Sequence, residues 1–378
     1  MRVEDLFSLL RLGLEIEGPS EAVAQSFVNL TKEDWQVLRA MADKQGVSAI
    51  VFDGLNALIS SFGTERVVPD IDKSWWRQFV LEWTSLVMTV EQRNGKQLQV
   101  MEDMARLWAA QGCRVMVMKG QACGTFYPKP EHRSPGDIDC YLVKVTGESL
   151  EVMEGYAIGN EIAKEAGAEV DDGWYKHSQI SYKGETFENH QYFVHTREGK
   201  RSKRLNEELV KVIGESLEFR ELTESTVIPP VQWNAMFLTY HACAHFLSEG
   251  LRLKQLLDWA MFLQKHQDDV DWPRFYDFCQ RYHLRRFADA ATAICVKNMG
   301  IKITNPTITT TSPYAERILQ SALYDDDYVF GSGEGSWHNR WHLVRNLFHY
   351  RWKYEEIYEE TVWRQLWYYA SGYLFKTE

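Results

Sequence analysis

The stretch that most constrains this chain is Gly136-Asp137-Ile138-Asp139-Cys140-Tyr141-Leu142, where acids alternate with apolar residues. Alternation of period two is a strand pattern, so a strand is predicted from Asp137 to Val143. Asp137 and Asp139 then share one face, while Ile138, Cys140 and Leu142 take the other and suit a core. Two carboxylates a few ångströms apart repel each other, and a hard divalent cation between them relieves the repulsion.

The flanking segments prepare this strand. Val115-Met116-Val117-Met118 reads as a short buried strand, and Lys119-Gly120 opens a helix. Tyr127-Pro128-Lys129-Pro130 breaks that helix, because proline lacks the amide donor and restricts the residue before it. A helix is expected from Gly147 to Gly167. After it, Ile180-Ser181-Tyr182 and Thr186 to Phe193 read as strands joined through Lys183-Gly184-Glu185. On the second of these, Glu188 faces opposite to Phe187 and Asn189 and together with His190. Glu188 is the best third carboxylate, with Glu185, Asp171 and Asp172 as competitors at turns or loops.

The spacing Lys-Gly, short helix, Tyr-Pro-x-Pro-x-x-Arg-x-x-Gly-Asp-x-Asp resembles the signature of the bacterial uncharacterised nucleotidyltransferase-like family, within the DNA polymerase β nucleotidyltransferase superfamily. The superfamily's usual Gly-Gly or Gly-Ser pair is Lys119-Gly120 here. The segments His241-x3-His245, Gly250-Leu251-Arg252-Leu253 and Leu257-Asp258-Trp259-Ala260 extend the resemblance over residues 111–285. It implies an α+β fold: a polymerase-β-like core with a small mixed sheet, flanked by extensive N- and C-terminal helical segments. The expected division is 1–110 helical, 111–198 nucleotidyltransferase core and 199–378 helical.

The implied activity is transfer of a nucleoside monophosphate from a nucleoside triphosphate to the hydroxyl of a small molecule, a protein or an RNA end. Mg²⁺ is the expected cofactor, with Mn²⁺ able to replace it. Asp137, Asp139 and Glu188 are the expected catalytic and metal-holding residues, and Lys119, Gly120, Arg133 and Gly136 the nucleotide-binding ones. Gly120 lets the backbone approach phosphates, beside the amides of the following helix. Arg133 either neutralises phosphate or pairs with an acid and positions it, and Arg252 and Asp258 either line the cleft or form an internal ion pair. The alternative is a catalytically silent nucleotide-binding regulatory or toxin–antitoxin-type interaction protein, against which the intact Asp137, Asp139 and Glu188 argue.

The rest of the chain narrows the partners. A net charge of −11 argues against general nucleic-acid binding, which needs clustered Lys and Arg, though a specific RNA is not excluded. The basic run 199–205 reads as a solvated surface, and the base-and-aromatic mix Arg340-Trp341-His342 through Lys353 as an amphipathic helix with an aromatic core side. His241 and His245 lack the central Glu of a zinc helix and any evident third ligand, so they read as packed residues. Six cysteines form no Cys-x-x-Cys pair and read as buried free thiols. The acidic start and the absence of a long apolar run predict a soluble, cytoplasmic chain with no membrane partner.

Overall fold

The computed structural model describes residues 2–146, 149–196, 199–215, 219–325 and 344–367. Six helices open the chain: α1 (Val3–Gly13), α2 (Glu21–Phe27), α3 (Lys32–Lys44), α4 (Ser48–Phe62), the single turn α5 (Thr64–Val67) and α6 (Lys73–Ala110). Thr31 and Asp34 start α3 with reciprocal side-chain bonds to each other's backbone amides. Asp72 caps α6, which runs unbroken for 38 residues and stops before Gly112, whose φ is 77°. The first half of α6 buries Trp76, Phe79 and Trp83 with the N-terminal helices. Its second half lays Met101, Met104 and Trp108 on the sheet.

The sheet contains β1 (Cys113–Val117), β2 (Ile138–Thr146), β3 (Ser149–Glu151), β4 (Glu169–Asp171), β5 (His177–Tyr182), β6 (Glu185–His190), β7 (Arg220–Glu221) and β8 (Thr226–Ile228). Its order is β4-β5-β6-β2-β1-β8-β7, with β3 paired to β2. Pairs β2–β6 and β1–β8 are parallel and the others antiparallel, so the sheet is mixed. Between these strands lie the turn α7 (Gln121–Gly124), α8 (Val152–Glu165) and α9 (Lys200–Glu215). Then follow α10 (Val231–Ser248), α11 (Leu253–His266), α12 (Trp272–Arg281), α13 (Arg285–Lys297) and α14 (Ala315–Tyr324).

Three local expectations are corrected. The motif strand begins at Ile138, one residue after Asp137. The helix expected from Gly147 starts instead at Val152, because Ser149–Glu151 folds back to pair with Lys144–Thr146. The strand expected from Ile180 begins at His177, because His177 pairs with His190 across a two-residue turn. In that turn Lys183 and Gly184 both have positive φ, the geometry that matches the twist of a hairpin.

The two faces of the sheet are unequal. Ile138, Cys140, Leu142 and Phe187 face α6 and α8, with Trp108 edge-on to Phe187 at 5.8 Å. Helix α8 approaches β2 so closely that a Cβ on Gly155 would sit 2.2 Å from the Leu142 carbonyl oxygen. The opposite face carries Met116, Met118, Tyr141 and Val143 into a large core shared by the N-terminal and C-terminal helices. All six cysteines are free and buried. In the base-and-aromatic segment, Arg317 lies 4.0 Å over the Trp352 ring, and Lys353 is buried beside Asp325 at 3.0 Å. Arg340, Trp341 and His342 lie outside the described residues. Among the described residues no helix is long and apolar enough to cross a membrane.

Between α7 and β2 the chain is held from outside. His132, buried in the turn Pro130–His132, has Nδ1 2.6 Å from Asp53 of α4 and Nε2 2.8 Å from Glu91 of α6, while Lys129 reaches Asp53 at 2.6 Å. The Asp53 hydrogen bond, helped by Glu91, outweighs burial and raises the pKa of His132. A raised folded-state pKa stabilises fully below the unfolded value, about 6.5, and the stabilisation is lost as pH rises through the folded value. Wild-type protein should therefore lose more stability between pH 6 and 9 than His132→Gln, by about 1.4 kcal/mol for each pKa unit. Urea midpoints at the two pH values check this; parallel pH profiles would refute it.

Candidate active site

Strands β2 and β6 run parallel with Asp139 opposite Glu188, so these carboxylates stand side by side on the face opposite Ile138 and Phe187. Phe187 in the core turns Glu188 outward, and Asn189 turns inward to bond the Tyr156 carbonyl and Asn160 at 3.1 and 2.9 Å. Asp137, just before β2, is exposed at the same edge. Gly120 lies beneath it: a Cβ there would be 3.7 Å from the Asp137 carbonyl oxygen, and its φ of 59° with ψ of −114° requires glycine. The helix after Gly120 is a single turn, Gln121–Gly124. This bend carries Lys119 back so that its Nζ sits 2.7 Å from Asp139 Oδ1.

His190 faces the same carboxylates, with Nε2 3.2 Å from Asp139 Oδ1 and 3.3 Å from Glu188 Oε2. His177 Nε2 lies 3.6 Å from Glu188 Oε1. Burial opposes the charge on Asp139, but Lys119 and His190 outweigh it and hold the carboxyl well below the usual carboxylate range. Glu188 is also lowered, because bonding to His190 outweighs burial. Asp137 goes the other way: the site wall on one side of its exposed side chain removes part of its hydration, and this and then the charges of Glu188 and Asp139 push it up. Three carboxylates thus line one edge, and oxygen donors of this kind suit Mg²⁺ or Mn²⁺, although the three do not all lie within 4.8 Å of one another.

Helix α10 supplies the opposite wall. Trp233, Phe237, His241 and His245 follow each other at four-residue spacing, with ring centroids 4.4, 5.8 and 4.4 Å apart. His245 reaches Glu249 at 3.1 Å. Burial, then Lys119 and His245, lowers His241 well below the ordinary histidine value. Lys176, just before β5, is lowered by burial and by Lys119. Lys119 and Lys176 thus add two positive charges beside the carboxylates.

The structure brings Lys119, Gly120, Asp137, Asp139 and Glu188 together, with Gly136 alongside. It does not bring Arg133 to them. Arg133 is buried and donates from Nε and Nη2 to the two oxygens of Asp258, each at 2.8 Å, and from Nη1 to the Ser134 carbonyl. Tyr127 donates to the same carboxylate at 2.8 Å. Arg133 and Asp258 are thus an internal ion pair joining the motif loop to α11. Glu185 pairs with Lys96 at 3.0 Å at the hairpin turn, Asp171 lies two strands from Glu188 through Gln179, and Asp171 and Asp172 are exposed.

Sequence reasoning missed Lys176 and His177, and also Asn94 and Gln97 on α6. Asn94 donates to the carbonyls of Glu131 and Arg133 at 2.7 and 2.9 Å, and Gln97 to that of Gly136 at 2.5 Å. Both are buried. The available signal was two amides three residues apart among the apolar positions of α6.

A family model described as uncharacterised nucleotidyltransferase matches residues 31–300. The chain belongs to this family. The match begins at the cap of α3 and runs through α13, so the family unit includes most of the N-terminal helices as well as the sheet and α10–α13. Nucleotidyl transfer is the general chemistry of the nucleotidyltransferase family. No curated protein and no solved structure matches the chain.

Proposed function

We propose that this nucleotidyltransferase-family protein is a divalent-metal-dependent enzyme with a polymerase-β-like core. It moves a nucleoside monophosphate from a nucleoside triphosphate to the hydroxyl of a small molecule, a protein side chain or an RNA end. The observation that carries this reading is the pairing of Asp139 with Glu188 beside Asp137 on one sheet face, in a chain of this family. Mg²⁺ or Mn²⁺ held by Asp137, Asp139 and Glu188 would neutralise triphosphate charge and lower the pKa of the acceptor hydroxyl. Lys119 and Lys176 neutralise the remaining phosphate charge. Gly120 and Gly136 keep the backbone clear of the nucleotide. Arg133 positions the loop through Asp258. Glu188 takes the acceptor proton as the acceptor oxygen bonds to the α-phosphorus and pyrophosphate leaves. We also propose that 111–198 carries the chemistry, set between the helical regions 1–110 and 199–378.

Incubation with each α-labelled nucleoside triphosphate, Mg²⁺ and cell extract should move label to one class of acceptor with release of pyrophosphate. Nucleotide binding without pyrophosphate release for any of the four would sink the catalytic reading and leave a silent nucleotide-binding protein. Lys176→Ala should weaken triphosphate binding about tenfold or more, the scale of one charge-assisted hydrogen bond. Calorimetric titration checks it, and an unchanged affinity removes Lys176 from the phosphate wall.

A further inference from the structure

We infer that His177, Glu188 and His190 form a cation position for an imidazole-accepting transition ion such as Mn²⁺, Co²⁺ or Zn²⁺, distinct in chemistry from the all-carboxylate set. It deepens the reading above, because Glu188 belongs to both sets. One ligand atom from each of the three residues lies within 4.8 Å of the others, the one such group of histidine, cysteine or acid side chains among the described residues. Ligands bound at about 2.1 Å around a tetrahedral ion lie about 3.4 Å apart. His190 Nε2 and His177 Nε2 lie 3.3 and 3.6 Å from the two oxygens of Glu188. These distances run to different oxygens, so the three side chains must draw together by up to about 1.4 Å to close on one tetrahedral ion.

The hydrogen bonds around His190 point the same way. Its Nδ1 is 3.2 Å from the Tyr192 carbonyl oxygen, which can only accept, so Nδ1 carries a proton. Nε2 faces Asp139 and Glu188 at 3.2 and 3.3 Å, a position that either a second ring proton or a metal ion can fill to bond both carboxylates. A backbone carbonyl on one ring nitrogen with the other left free is the arrangement that orients a metal-binding imidazole. His177 also presents Nε2 to Glu188, but its Nδ1 is buried with no hydrogen-bond partner, so packing alone orients this ring. His177 and His190 are cross-strand partners with ring centroids 5.0 Å apart, so the hairpin itself sets their separation. Mg²⁺ prefers oxygen and keeps its waters, Mn²⁺ accepts oxygen and imidazole, and Co²⁺ and Zn²⁺ favour imidazole. The side chains of His177 and Glu188 are 13% and 19% exposed, which leaves an entry path from solvent.

The test uses the full chain without nucleotide and Mn²⁺ as the probe. Titration followed by electron paramagnetic resonance should show one tightly bound equivalent, with pulsed spectra carrying nitrogen couplings from two imidazoles. A hundredfold excess of Mg²⁺ should leave those couplings in place. His177→Ala should lose one coupling and weaken Mn²⁺ binding about 100-fold or more. His190→Gln should do the same, and if its circular dichroism shows a misfolded chain, His177→Ala alone decides. Bound Mn²⁺ without nitrogen coupling under that excess of Mg²⁺, no tight binding, or both couplings surviving His177→Ala would overturn the site. Because no nucleotide is present, that failure is separate from a failure of label transfer with Mg²⁺.

Discussion

Glu188→Gln should keep nucleotide binding yet lose transfer by a factor on the order of 10² or more, the scale of a lost acid–base group. The substitution preserves shape and removes charge. Glu188 touches His177 and His190 and is partly exposed, so no buried cation is left without its partner. The fold should survive. Asp139→Asn should abolish transfer as well, but with a different signature. Asp139 holds the Lys119 ammonium at 2.7 Å, so its loss disturbs the phosphate side too and should weaken triphosphate binding. Glu185→Gln is the control. Glu185 faces Lys96 at the hairpin turn, so it should transfer normally. Single-turnover transfer and nucleotide titration on the three variants separate these outcomes. If Glu185→Gln were inactive and Glu188→Gln active, the base would lie at the wrong end of β6.

Arg133→Ala should destabilise the protein by about 3–5 kcal/mol, the cost of leaving one member of a buried ion pair alone. The guanidinium and carboxylate are both buried and bonded bidentately, so water cannot replace the lost partner. Burial and the Asp258 charge also push the Tyr127 phenol well above its ordinary range, so it stays a donor and shares the stranded acceptor. Arg133→Lys should recover only part of the loss, because an ammonium cannot reproduce the two parallel bonds. A double change to Arg133→Met with Asp258→Leu should fall much less than either single alanine variant, since no charge remains buried. Urea unfolding measures all four. A fall below about 1 kcal/mol for Arg133→Ala would mean that the pair is solvated.

Much of the site was legible because it depends on local rules. Alternation put Asp139 outward and Cys140 inward, and the apolar Phe187 fixed the direction of Glu188. His177 was not legible, because its place depends on hairpin register. That register follows from Lys183 and Gly184 both taking positive φ, and lysine gives no advance notice of that. The ion pair of Arg133 with Asp258 spans 125 residues, and no local pattern chooses Asp258 over a phosphate as the partner. The amides Asn94 and Gln97 meet carbonyls about 40 residues on, and a polar residue in a helix does not reveal which backbone it will satisfy. The return of Ser149–Glu151 onto β2 was lost to a helical pattern that begins just after it.

The ten residues from Tyr127 to Gly136 are fastened to α4 through Asp53, to α6 through Glu91, Asn94 and Gln97, and to α11 through Asp258. Asp137 is the next residue along. Its position is therefore a property of three distant helices as much as of its own strand. A catalytic cassette cut from this chain would contain every carboxylate and still lack the scaffold that aims the first of them. Nor can the helices be swapped piecemeal, since each fastening is specific in charge and reach. Inactivation by heat or denaturant should accordingly track global unfolding in one transition, with no window in which an intact fold has a slack site.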